Sequence, residues 1–81
     1  MFVYTVDMAT GRIRPADSIE AAKQVILSCY PRAHFGNWKK AHRGHSLPAW
    51  PHAGAELRFE LGETQDDNKP VAYVQTLDGR I

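Results

Sequence analysis

Asp17-Ser18-Ile19-Glu20-Ala21-Ala22-Lys23-Gln24-Val25-Ile26-Leu27-Ser28-Cys29-Tyr30-Pro31 is the stretch that decides the fold class. Asp17 or Ser18 is a good helix N-cap. Asp17 with Glu20 three residues later has the spacing of a capping box, in which side chains satisfy N–H groups that the first helical turn leaves without partners. Pro31 disfavours helical backbone in the residue before it, so the predicted helix runs from about Ser18 to Cys29 or Tyr30. Ile19, Ala22, Ile26, Cys29 and Tyr30 recur at helical spacing as one apolar stripe, widened by Val25 and Leu27, with Glu20, Gln24 and Ser28 opposite. A helix with one apolar side must cover something, and the flanking sequence offers strands.

Upstream, Phe2, Tyr4 and Val6 alternate with Val3, Thr5 and Asp7, the period of a strand with apolar groups on both faces. Gly11 can take the left-handed backbone that closes a short loop, so Arg12-Ile13-Arg14 is predicted to return as a second strand that Pro15 stops. Downstream, Ala33-His34-Phe35 reads as a short strand. Asn37 is placed to cap a brief helix over Trp38 to His42. The spacing of Gly44, Pro48, Pro51 and Gly54 predicts an ordered loop from Arg43 to Gly54, anchored by Leu47 and Trp50. Leu57, Phe59 and Leu61 alternate with Glu56, Arg58 and Glu60 and predict a half-buried strand. It is joined through a polar turn at Gly62 to Lys69 to a last strand from Val71 to about Leu77, ended by Asp78-Gly79. The expected architecture is hairpin, helix, loop, hairpin: one α+β domain over residues 1–81, with a single helix on a four- to five-stranded, mainly antiparallel sheet.

An 81-residue chain has room for one core and little more. One cysteine cannot make an internal disulfide, which predicts a reducing, cytoplasmic setting. The N-terminus lacks the basic and then apolar regions of a signal peptide, and no apolar run is long enough to span a membrane.

Charge is unevenly spread. From Ala21 to Ala55 there is no Asp or Glu, yet these 35 residues hold Lys23, Arg32, Lys39, Lys40, Arg43, all four histidines and both tryptophans, for a local charge of +5. Residues 56–81 carry −3. This polarity points to an anionic or mixed-charge partner. Trp38, Lys39, Lys40, His42, Arg43 and Trp50 are the expected contact residues, the tryptophans anchoring by burial and the cations steering and pairing. The same residues also suit a nucleic-acid module, in which cations neutralise phosphates and Trp38, Trp50 or Phe35 stack on bases. Both tryptophans equally fit a role as plugs of the core.

Enzymatic chemistry finds little footing. His34, His42, His45 and His52 match no zinc module in spacing, and a closed site would need three of them from one loop, so no metal or other cofactor is expected. Cys29 belongs to the apolar stripe near a helix C-terminus, where the helix dipole disfavours a thiolate; it is predicted to be core. Ser46 next to His45 lacks a Gly-rich elbow. Asp66 and Asp67 lack the spacing of a calcium loop.

Tyr4-Thr5-Val6-Asp7-Met8-Ala9-Thr10-Gly11-Arg12-Ile13, followed by Ala16-Asp17-Ser18-Ile19-Glu20-Ala21-Ala22, resembles short proteins of phages and mobile elements, anti-CRISPR proteins among them. That resemblance implies a non-enzymatic inhibitor that docks on a nucleic-acid-handling effector complex. Many of those proteins are acidic DNA mimics and this chain is not, which leaves direct blockade or tethering by the basic loop. The expected function is therefore a binding protein that masks a protein or ribonucleoprotein surface.

Overall fold

Ser18 starts the principal helix. In the computed structural model, which describes residues 2–77, α1 spans Ile19–Cys29; the Ser18 Oγ accepts from the Ala21 N–H at 3.0 Å, and the Tyr30 N–H closes the far end on the Ile26 carbonyl at 2.8 Å. Of the two capping residues the sequence offers, the serine is used. Ala22 and Ile26 are fully inside, with Ile19 and Tyr30 packed beside them.

Six strands make one open sheet: β1 (Val3–Asp7), β2 (Ile13–Ala16), β3 (His34–Phe35), β4 (Lys39–Ala41), β5 (Gly44–Trp50) and β6 (Ala72–Thr76). The order is β2-β1-β6-β5, with β3 and β4 both lying along the outer side of β5, and every pairing is antiparallel. The fold is α+β, with one main helix on one face of an antiparallel sheet. The β1–β2 loop turns at Gly11, whose φ of 73° is left-handed.

Directly opposed residues of antiparallel strands share a face, so the register sorts every side chain. Val3, Thr5, Leu47, Ala49, Ala72, Val74 and Thr76 face α1 and are buried; with Ala22 and Ile26 their apolar members form the core. Full burial of a valine or leucine contributes about 1.5–3 kcal/mol, enough in sum to hold the helix on the sheet. The other face carries Tyr4, Val6, Ile13, Pro15, Ser46, Pro48, Tyr73 and Gln75.

Several expectations are corrected. Pro15 does not stop β2 but lies within it, opposite Tyr4. β2 is an edge strand, where a missing N–H costs no ladder bond. Trp38 to His42 is no helix: Lys39–Ala41 is β4, which turns at His42-Arg43 into β5. Residues 44–50, expected as loop, are the longest strand of the sheet. Its Pro48 is accommodated because the Pro48 carbonyl accepts from the Gly36 N–H on the side where β3 gives way to β4, so the proline nitrogen faces a gap between ladders.

Leu57 to Leu61 is likewise no strand. Ala55–Glu60 is a short helix, α2, with Leu61 as its C-cap. Gly62, at φ 93°, donates to the Phe59 carbonyl and Glu63 donates to the Arg58 carbonyl, the Schellman closure that a glycine just past a helix provides. Only one edge of the expected C-terminal hairpin exists, as β6, and it inserts between β1 and β5. Asp66 and Asp67 sit in a 3-10 turn, Asp66–Asn68. The expected stop at Asp78-Gly79 lies outside the described residues.

Among the described residues, no helix is long and apolar enough to cross a membrane.

Candidate binding surface

The middle of the acid-free segment, β4 and β5, folds into a hairpin. Its turn residues His42 and Arg43 are exposed, with Ala41 opposite Gly44, Lys40 opposite His45 and Lys39 opposite Ser46. Lys39 and Lys40 are both exposed but, being adjacent in a strand, point to opposite faces. Lys39 joins the face away from α1, whereas Lys40 stands beside His45 on the helix side. The ion pairs among the described residues are Lys23–Glu20 and Lys69–Asp66, each at 3.8 Å, so no described carboxylate engages the hairpin cations.

The root of the hairpin is fixed by two contacts with β6. A Cβ on Gly44 would run into the Thr76 carbonyl and come within 3.0 Å of the Leu77 Cα, so only glycine allows β5 this approach. The regular β5–β6 pairing reaches only to Ser46 opposite Gln75. One step further, the buried Thr76 hydroxyl takes over: it accepts from the His45 N–H at 3.0 Å and donates to the His45 carbonyl at 3.4 Å. The cations thus project from an anchored hairpin, in place of the brief helix over Trp38 to His42 and the loop from Arg43 expected from the sequence.

The two tryptophans do not join them as exposed anchors. Trp50 is 3% exposed, lies on the face away from α1, and packs its ring 5.5 Å from that of Phe59 on α2, with its Nε1 buried and without a hydrogen-bond partner. Trp50 is a core residue and leaves the contact set. Trp38 is half-buried against the core cluster. The structure therefore gathers Lys39, Lys40, His42 and Arg43, sets Trp38 at their base and removes Trp50.

The histidines are dispersed. His34 is on β3, His42 on the turn, His45 on β5 with its Nδ1 buried and unpartnered, and the His52 Nδ1 lies 2.8 Å from the Ala53 carbonyl. Among the described residues, no three His, Cys, Asp or Glu side chains are grouped so as to hold a metal ion. Cys29 is exposed, contrary to the core position predicted for it. It borders a cleft of about 120 Å³ between α1 and the β1–β2 hairpin, together with Thr5, Asp7, Arg12 and Arg14. A wider groove of about 640 Å³ also lies at the start of β6, lined by Met8, Tyr30, Phe59, Pro70 and Tyr73 and bordered by Asp66 and Lys69. Above it the Tyr30 hydroxyl donates to Asp7 Oδ1 at 3.1 Å; partial burial, and then that hydrogen bond, raise the phenol above its ordinary pKa of 10.0.

One surface was missed by the sequence reading. On the sheet face away from α1, Phe2 is 56% and Ile13 62% exposed, and Tyr4, Val6 and Tyr73 are half-buried between them. The signal was present in the alternation of Phe2, Tyr4 and Val6. What was absent was the position of β6, which brings Tyr73 and Gln75 next to them. Searched against family models, curated proteins and solved structures, the chain has no match.

Proposed function

We propose that this chain is a non-enzymatic binding protein that masks an anionic surface of a protein or ribonucleoprotein partner, with the β4–β5 hairpin as its contact. The observation that carries this reading is the gathering of exposed Lys39, Lys40, His42 and Arg43 on one hairpin with no described carboxylate in ion-pair range. Cations on an exposed tip speed encounter with an opposite charge and give specificity by pairing in the bound state. Anchorage at Gly44 and Thr76 pre-organises the tip, which lowers the ordering cost of binding. The resemblance of residues 4–22 to anti-CRISPR-type proteins points in the same direction, toward a nucleic-acid-handling effector as target.

The test is capture by the immobilised protein, with bound protein and nucleic acid both identified, compared with a Lys39→Glu, Lys40→Glu, Arg43→Glu variant of unchanged circular dichroism. The variant is expected to lose the specific partner. Equal capture by both proteins would remove the hairpin from the account.

A further inference from the structure

We infer that the sheet face opposite α1 is a stacking platform for single-stranded nucleic acid. Bases would lie on Phe2, Tyr4 and Tyr73, and phosphates would be drawn to Lys39 and the hairpin tip. The inference rests on the hairpin reading for its phosphate contacts and adds to it the class of ligand.

Register supplies the geometry. One cross-strand row on this face runs Pro15, Tyr4, Gln75, Ser46, Lys39; the next runs Ile13, Val6, Tyr73 and ends at Pro48, which is fully buried and closes the open surface there. Five strands at the usual spacing make the first row about 19 Å across, the scale on which sheet platforms stack two or three bases. The Phe2 and Tyr4 rings are neighbours, with centroids 5.7 Å apart. Tyr73 is diagonal to Tyr4, since it lies opposite Val6 two residues on, close enough for aromatic side chains to form one surface.

Chemistry then selects the occupant. The first row contains no Asp or Glu and ends in a lysine, while the carboxylates bordering this face, Asp66 beside Tyr73 and Glu56 beside Pro48, lie along the second row. Beside the rings stand Gln75 and, one strand further, Ser46, and the two tyrosines carry phenol hydroxyls, donors and acceptors of the kind that read base edges. A partner offering only apolar side chains would strand those groups without hydrogen bonds. A single strand offers a π-face for each ring, a polar edge for each amide and hydroxyl, and a phosphate for Lys39 and Arg43. In a duplex the base faces are already stacked on one another.

The deciding experiment is fluorescence anisotropy on the intact protein with labelled dT15, rU15 and a 15-base-pair DNA duplex in low salt. Single strands, dT15 and rU15 alike, are expected to bind at least tenfold more tightly than the duplex. Phe2→Ala, Tyr4→Ala and Tyr73→Ala should each weaken binding roughly 5- to 150-fold, the usual worth of one stacked base, while Tyr4→Phe keeps it. Lys39→Glu should flatten the salt dependence by about one unit of slope. Phe2 is exposed enough that its alanine variant tests stacking without touching the core. No binding to either strand, equal binding to duplex, or alanine variants that bind like the parent would each overturn the inference. Failure here with the hairpin variant still losing its captured partner leaves the hairpin reading intact and makes that partner a protein. Ring-dependent oligonucleotide binding that survives the triple charge reversal overturns the hairpin instead.

Discussion

Replacing Thr76 by valine isolates the anchor that holds the hairpin to the sheet. Thr76 has no exposed surface, and its hydroxyl serves both the N–H and the carbonyl of His45. Valine has nearly the same shape, so packing is kept while the part-buried amide and carbonyl of His45 lose their partner. Leaving such groups unsatisfied costs about 1–3 kcal/mol. The 3.4 Å bond is long and weak, so most of the loss falls on the 3.0 Å bond to the N–H. The methyl that replaces the hydroxyl returns under about 1 kcal/mol of apolar burial. A net loss of about 1–2 kcal/mol is expected, or a melting temperature lower by about 4–16 °C for a domain of this size. Thermal unfolding followed by circular dichroism measures the total, and amide hydrogen exchange at His45 measures the cause. Thr76→Ser serves as control, because it loses a buried methyl but should keep His45 protected. A valine variant as stable as the parent, or one whose His45 amide stays protected, would refute the assignment of the anchor to the hydroxyl.

Gly44→Ala drives a Cβ into the Thr76 carbonyl and should destabilise by about 1–3 kcal/mol in urea titration, whereas Gly11→Ala meets no atom within 4 Å and should cost only the left-handed strain of about 1–2 kcal/mol. Trp50→Ala should cost about 3–5 kcal/mol. Trp50→Phe should cost clearly less, because it keeps a ring against Phe59 and discards an N–H that has no partner; if it folds, it should bind the captured partner as the parent does. In an ultraviolet titration, Tyr30→Phe should remove the phenol that ionises above the ordinary range. Since the folded protein holds that proton more tightly than the unfolded chain, the stabilisation is complete below pH about 10 and is lost as pH rises through the folded value; equal alkaline stability of parent and Tyr30→Phe would contradict it.

The N-terminal half of the fold was legible because its signals are local. Ser18 caps, Pro31 follows the stop and Gly11 turns, each through its own backbone. The hairpin at residues 39–50 was hidden for an equally specific reason. Its turn, His42-Arg43, contains no glycine or asparagine and no left-handed residue, so none of the usual two-residue turn chemistry marks it. Pro48 argued against a central strand, and only the gap between β3 and β4, a tertiary circumstance, makes it harmless there. At residues 55–61, alternating apolar groups imitated a strand, yet Leu57 and Leu61 are 61% and 71% exposed. Glu, Leu and Arg are strong helix formers, and the left-handed Gly54 and Gly62 bracket the segment. The cations of the candidate surface could be named from composition. Their division between two faces could not, because it depends on strand register.

β6 lies between β1 and β5, which have no pairing with each other. Its partners Val3 and Ala49 belong to parts of the chain that can each organise locally, one as hairpin and helix, the other as the β3–β4–β5 unit. Until residues 72–76 are in place, these two units have unpaired inner edges and no shared core. The slow step of folding should therefore be the insertion of one strand, with the loop-closure cost of joining distant segments, and the intermediate before it is the species most exposed to edge-to-edge association. In engineering terms β6 is the keystone of the sheet: a chain cut in the exposed turn before Val71 should keep its two units apart until a peptide carrying residues 72–76 joins them.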